Sequence, residues 1–333
     1  MAAPNVLVTG SSGHLGYALM LELPGYGYSP IGIDILPSDH TSLIGRISDR
    51  DIIAGIFARH PSIRYVLHAA TLHKPHVGSH TKEEFIETNV KGTLVLLEEA
   101  SKTGRIDALI FTSTTSTFGS ALAPKPGQPA AWIDETVTPI PKNIYGATKV
   151  AAEDICQLVQ SETKMPTLVL KTSRFFPEPD DNEASRLAYN DDNLKVNELL
   201  YRRADISDIV SAHICAMKRA KDIGWGKYII SAPPPFERST QLLSDLDSKA
   251  PEAIKATLPR HAEILLQHGW KLPDRLDRVY DSSKAVRDLE WKPMYTFEHA
   301  VDLISQGLDY RSDLTHKVGK RGYHAVPTGV YTF

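Results

Sequence analysis

Short apolar runs alternate along the chain with longer stretches in which apolar residues recur every three or four positions. Residues 5–9 (NVLVT) form one such run, closed by Gly10, and predict a buried parallel strand. Residues 15–23 carry the helical period as far as Pro24 and Gly25. The pattern then repeats, with strands expected at 30–33, 65–70, 108–113 and 167–171 and helices at 51–59, 85–101 and 145–161. This alternation predicts an α/β fold: a doubly wound parallel sheet with helices on both faces. Beyond Arg174 the pattern loosens, and 176–194, polar and rich in Pro, Asp and Asn, reads as a loop. A helix at 205–219, a strand at 228–230 and helices at 239–248, 260–268, 282–289 and 297–312 follow. The tail from Thr315 to Phe333 either packs back on the body or frays.

At 333 residues the chain exceeds one small domain, so a core domain with a smaller second lobe is expected. Composition is that of an ordinary globular protein, and a net charge of −3 supplies no positive field to recruit nucleic acid or an anionic membrane. No stretch is long and apolar enough to span a bilayer, and the N-terminus lacks the basic start of a signal peptide. A cytoplasmic location is therefore expected. Cys156 and Cys215 form no metal-type spacing and read as small buried side chains, and no metal is expected.

The first strand runs into Thr9-Gly10-Ser11-Ser12-Gly13-His14-Leu15-Gly16. In a strand–turn–helix context Gly10 allows the tight turn, Gly13 lets backbone approach a diphosphate, and Gly16 lets the helix pack on the strand. The phosphate would meet the free N–H groups of Ser12, His14 and Leu15 at the helix N-terminus. Asp34 closes the second strand, where its carboxylate would accept both adenosine-ribose hydroxyls and repel a 2′-phosphate, so NAD is expected over NADP. This is a Rossmann-type dinucleotide site. We divide the chain into residues 1–174, a Rossmann domain whose core takes in part of 203–232, and 175–333, mainly a substrate-binding lobe and tail.

Tyr145 and Lys149 lie four apart at the start of a predicted helix, on one face. An ammonium beside a phenol favours the phenolate, so the tyrosine can act as a base nearer neutrality. The hydroxyl-rich stretch 112–117 after the preceding strand supplies a group to hold the substrate oxygen beside the phenol.

Together these segments resemble the extended short-chain dehydrogenases/reductases, specifically the NAD-dependent epimerase/dehydratase family. The resemblance rests on residues 9–16, Asp34, 68–70 (HAA), 89–93 (NVKGT), 112–119, 135–139 (ETVTP) leading into Tyr145 and Lys149, 281–284 (DSSK) and 291–293 (WKP). It implies that the catalytic Ser/Thr is Thr114, counted back from Phe118-Gly119. It also implies a cofactor site lined by Ile35, Ile47, Ala69, Ala70, Asn89 and Thr112, with Phe175 near the nicotinamide. His73 and Thr115 would face the substrate. Arg202 and Arg203 resemble the family's substrate-phosphate region or are surface charge, and Arg275 and Lys284 stand the same way. A homodimer through the helices at 85–101 and 145–161 is implied as well.

The chain also departs from the family. Thr115 and Ser116 stand where the dehydratases of the group carry an Asp-Glu pair, so no acid is placed to expel water. Arg46 replaces an adenine-reading Asp and is either a stacking cation or a solvated charge. Pro177 replaces an Asn that binds the diphosphate sugar in many nucleotide-sugar enzymes. What remains is hydride chemistry. The first expectation is epimerisation of a sugar or sugar nucleotide. The alternatives are a net dehydrogenase or reductase of a sugar, sugar acid or small alcohol, and a non-catalytic NAD(H) sensor on the same fold.

Overall fold

Residues 3–120, 124–125, 127–178 and 183–321 are described by the structure, a computed structural model. In chain order the strands are β1 (Val6–Thr9), β2 (Pro30–Asp34), β3 (Leu43–Ile44), β4 (Tyr65–His68), β5 (Ala108–Thr114) and β6 (Ala131–Ile133). They continue with β7 (Thr167–Thr172), β8 (Arg174–Phe175), β9 (Arg203–Ala204), β10 (Trp225–Ile230) and β11 (Arg278–Tyr280). Seven of them form one parallel sheet in the order β10-β7-β5-β4-β1-β2-β3. The chain winds outward from β1 in one direction, returns, and winds outward from β4 in the other. The crevice beyond the carboxyl ends of β1 and β4 is the topological switch point, where ligands bind in such sheets.

The continuous apolar runs follow from burial on two sides. Val6 and Val8 of β1 pack with α1 (His14–Glu22), whereas Leu7 between them joins Ile53 and Ile56 of α2 (Arg50–Arg59) on the opposite face. All three are fully buried, and each such side chain contributes about 2 kcal/mol relative to exposure. The helix expected at 85–101 is longer and composite, made of α3 (Lys82–Phe85), a π-helical segment Ile86–Lys91 and α4 (Gly92–Lys102). The helix α5 (Ile144–Thr163) starts on Asn143, whose side chain accepts from the Gly146 N–H.

The stretch 176–194 is not the loop expected. It carries α6 (Glu183–Ala188) and enters α7 (Asp191–Glu198). Asn190 caps α7, and Asn193 and Asn197 are buried with their amides donating to the Lys271 carbonyl at 2.9 and 2.7 Å. Buried polar residues that find backbone partners erase the apolar period that would have announced the helix. The amphipathic α8 (Ile206–Ile223) then leads back into β10 at the edge of the sheet.

A separate apolar cluster is built mostly from residues after 190, among them Leu200, Leu246, Ile254, Leu265, Phe297 and Val301. It draws on α9 (Thr240–Ser248), α10 (Ala250–Thr257), α11 (Pro259–Gln267) and, after the short α12 (Ser283–Asp288), α13 (Phe297–Ser305). The last of these stops short of the expected residue 312, because Gly307 turns left-handed at φ 70°. Two small parallel pairs, β6 with β11 and β8 with β9, were not foreseen. They tie this half of the molecule to the sheet beside the crevice. Of the tail, residues 322–333 lie outside the described residues.

Candidate active site

The crevice is a cleft of about 620 Å³. Its outer end is backbone. Gly10 adopts φ +75°, and a Cβ there would come within 2.8 Å of the Ala70 nitrogen; a Cβ on Gly16 would lie 1.9 Å from the Gly10 carbonyl oxygen. Only glycine permits this turn to nest between β4 and α1. Asp34 faces the turn and accepts from the Ser12 and Leu36 N–H groups, both at 2.9 Å. Ser12 in turn donates to the Leu36 carbonyl at 2.6 Å. Gly10, Ser12, Gly13, His14, Leu15 and Gly16 all line the cleft, as do Asp34, Ile35, Arg46 and Ile47 opposite. Ala69, Ala70 and Thr112 form its floor and Phe175 one wall.

Beneath the floor, His68 joins three elements. Thr93 gives its proton to the Asn89 carbonyl at 2.7 Å, so it accepts from His68 Nε2 at 2.9 Å. His68 Nδ1 then accepts from Thr9 at 2.8 Å, and the Thr9 hydroxyl oxygen accepts from the Ala70 N–H at 3.1 Å. Burial, with Lys149 nearby, lowers the His68 pKa to about 3, so the ring is a neutral tie.

The inner end holds two hydroxyl side chains, those of Thr114 and Tyr145. Thr114, at the tip of β5, caps the short turn Thr115–Thr117 by accepting from the Ser116 N–H at 3.1 Å. Tyr145, in the first turn of α5, is 8 % exposed, and the Thr114 hydroxyl lies near enough to act on its phenol. Thr114, Thr115, Tyr145 and His73 all border the cleft. Thus two separate segments, a strand end and a helix start, bring a phenol and a hydroxyl to one point, a pair suited to holding and protonating an oxygen.

A family comparison decides the class. The profile of the NAD dependent epimerase/dehydratase family matches residues 6–229. The chain belongs to this family. The matched span contains the glycine turn, Asp34, Thr114, Tyr145 and Lys149 and ends before α9. Among relatives, a UDP-glucose 4-epimerase of Yersinia pestis is 34% identical over 170 residues, which are 46% of this chain and 48% of that protein. The chain thus spans about half the length of the first relatives it matches. A probable UDP-arabinose 4-epimerase of Arabidopsis thaliana is 25% identical over 88% of this chain and 77% of its own. The same fold is seen in a UDP-glucose 4-epimerase of Thermotoga maritima solved with UDP-glucose, at TM-score 0.60 and 22% identity over 91% of this chain and 97% of that one. It is seen again in a UDP-glucuronic acid 4-epimerase of Bacillus cereus with NAD, at TM-score 0.61 and 19% identity over 95% and 97%.

Against the pattern of this epimerase/dehydratase family, three expected site residues sit elsewhere. Lys149 is 2 % exposed and does not border the cleft; its ammonium donates to the Thr112 carbonyl at 2.6 Å and lies 3.9 Å from the Phe111 ring centre. Burial lowers its pKa to about 7, opposed by the Glu153 carboxylate. The phenol of Tyr145 is accordingly not brought toward neutrality: burial raises its pKa, the nearby Thr114 hydroxyl only partly opposes this, and Glu178 adds to the rise. Asn89 also misses the cleft. Its amide donates to the Leu72 carbonyl at 2.8 Å and to Thr148 at 3.0 Å, and its carbonyl accepts from the Leu72 N–H, which pins the loop after β4 to α5.

Arg203 is the third. It is fully buried, donates to Glu198 at 2.6 Å and packs 5.3 Å from the Phe176 ring centre, so it faces the core rather than a substrate. Its neighbour Arg202 does border the cleft, held by the same Glu198 at 2.7 Å. Arg275 is engaged by Asp247 and the Pro124 carbonyl, and Lys284 by the Lys227 carbonyl. Among the described residues no cluster of three or more His, Cys, Asp or Glu side chains has metal-holding geometry.

Sequence reasoning missed Glu178, Arg278 and Tyr280, which border the cleft. Glu178 reaches it from the turn after β8. Arg278 and Tyr280 come on β11, with Arg278 paired to Asp277 at 2.6 Å. The charged residue directly after Pro177 was the one signal available for Glu178.

Proposed function

We propose that the chain binds NAD and inverts a hydroxyl-bearing carbon of a sugar nucleotide, of the UDP-sugar kind, as a 4-epimerase does. The observation that carries this is the Thr114–Tyr145 pair at the inner end of a cleft whose outer end is the glycine turn facing Asp34. Support also comes from the family and from relatives named as UDP-sugar epimerases.

The residues fit NAD: the turn leaves no room for a Cβ at Gly16, and Asp34 offers a carboxylate where a 2′-phosphate would be repelled. When bound, NAD supplies a hydride acceptor and, once reduced, the donor that returns hydride to the other face of the sugar. In the oxidising half Tyr145 takes the proton of the reacting hydroxyl while Thr114 donates to the oxygen on which charge builds. In the reducing half Tyr145 gives the proton back, and its buried, raised pKa suits that donor role. We assign Lys149 to the nicotinamide ribose and to lowering the phenol pKa, a role it takes up when its ammonium leaves the Thr112 carbonyl.

The reading includes a homodimer through the outer faces of α3–α4 and α5, on which Ile86 and Leu158 are 51 % and 54 % exposed, and a cytoplasmic location. No helix among the described residues is long and apolar enough to cross a membrane. The test is the mass and absorbance of cofactor in the purified protein, followed by turnover of UDP-sugars. Retained NAD and an inverted product with no net NADH support the epimerase. Stoichiometric NADH makes the chain a net dehydrogenase, and no cofactor binding overturns the reading.

A further inference from the structure

Glu178 is an acidic side chain whose charge bears on the Tyr145 phenol, and it has no role in the mechanism above. It borders the cleft together with Tyr145, His14 and His73, and its side chain is 30 % exposed there. Its N–H donates to the Phe175 carbonyl at 3.2 Å, which fixes the backbone of the turn after β8. One carboxylate oxygen faces His14 Nδ1 at 3.8 Å, too far for a direct hydrogen bond. His14 is 4 % exposed, its ring lies 5.6 Å from that of Phe175, and neither of its nitrogens has a hydrogen-bond partner. Buried polar atoms are almost always partnered, so a nitrogen left open beside a ligand cleft marks a place for a ligand atom. Burial raises the Glu178 pKa, but His14, His73 and Arg174 outweigh it and the net shift is downward, so the group is a carboxylate at neutral pH.

An ionised carboxylate only accepts hydrogen bonds. The diphosphate of a dinucleotide or sugar nucleotide is anionic and offers it no donor, whereas ring hydroxyls beside the reacting one do. A substrate bearing its own carboxylate at that point would bring two like charges into a half-buried space. We propose that Glu178, backed by His14, determines substrate class: it accepts hydrogen bonds from the hydroxyls of a neutral sugar ring and turns away a uronate. This rests on the sugar-nucleotide reading and goes beyond it by choosing between neutral and acidic sugars.

The experiment uses the full NAD-loaded chain and measures the dissociation constants and kcat/KM of UDP-glucose and UDP-glucuronate for the native protein and for Glu178→Gln. The native protein is expected to favour UDP-glucose by about 100-fold, since a like-charge contact at a ligand costs several kcal/mol. The variant, isosteric and uncharged, should narrow that ratio about tenfold, chiefly through tighter uronate binding. A native protein that binds the uronate as well or better overturns the proposal, even if the variant does not fold. So does an unchanged ratio in a folded variant, and in both cases the sugar-nucleotide reading survives. If neither ligand binds the native protein, that reading falls and this one with it.

Discussion

The two ends of the cleft are built in different ways. The cofactor end is made of main chain, a glycine turn whose neighbours are other backbone atoms and a carboxylate held by two N–H groups. The substrate end is made of side chains from distant segments: Tyr145 and Thr114, then His73, Glu178, Arg202 and Arg278, several already committed to ion pairs. Backbone sites tolerate no change of shape. Side-chain sites tolerate change of shape but turn on charge. On the function proposed above, the first kind fixes the cofactor and the second selects the substrate.

The sharpest way to break this contrast is Gly16→Val. Its Cβ would fall 1.9 Å from the Gly10 carbonyl oxygen, so we expect NAD binding to be abolished, read by cofactor content after gel filtration; retained NAD would mean that the turn is not the cofactor site. Next is Tyr145→Phe, which removes one hydroxyl and leaves the turn intact. Turnover should drop about 1000-fold, the range for a positioned general acid–base, with NAD content unchanged; a loss of NAD as well would blur the two ends. Third, Arg203→Met removes a fully buried partner of Glu198. Breaking a buried pair costs about 3 kcal/mol, visible as a lower urea midpoint, while KM should hold because Arg203 does not touch the cleft.

The last test, a pH dependence, separates the floor from both ends. With its pKa lowered to about 3 from 6.5, His68 is neutral when folded and charges on unfolding in mild acid. Its stabilising contribution is therefore complete above 6.5 and lost as pH falls toward 3, by about 1.4 kcal/mol per unit. Urea titrations at successive pH values should show stability declining below 6.5, and His68→Gln should flatten that slope.

The cofactor end was legible because its requirements are local. Glycine spacing, a strand before and a helix after, and an acid at the end of the next strand lie within residues 5–34, and the sheet order follows from alternating apolar runs. The Thr114–Tyr145 pair was legible for a similar reason, each member lying at the end of a strongly patterned element. Arg203 was not. Arg202 sits in the turn before β9 and Arg203 is the first residue of that strand; Glu198, buried at the end of an unforeseen helix, pairs with both, and only Arg203 is fully buried. Where the Lys149 ammonium rests was not legible, because helical spacing gives a common face with Tyr145 but not the rotamer, and in the structure the Thr112 carbonyl holds it under the floor.

By itself, then, the sequence determined the doubly wound sheet and picked out the glycine turn and the two hydroxyls that the fold brings to its cleft, since each depends on contacts between residues close in the chain or on a period along it. The tertiary structure alone decided which charges face the cleft. Arg202 points in while Arg203, Arg275 and Lys284 do not, and Glu178 arrives beside His14 across 164 positions of chain (178 − 14). The reason is that a charged side chain goes wherever a partner or water can be found, and the partners here lie on segments that only folding brings together.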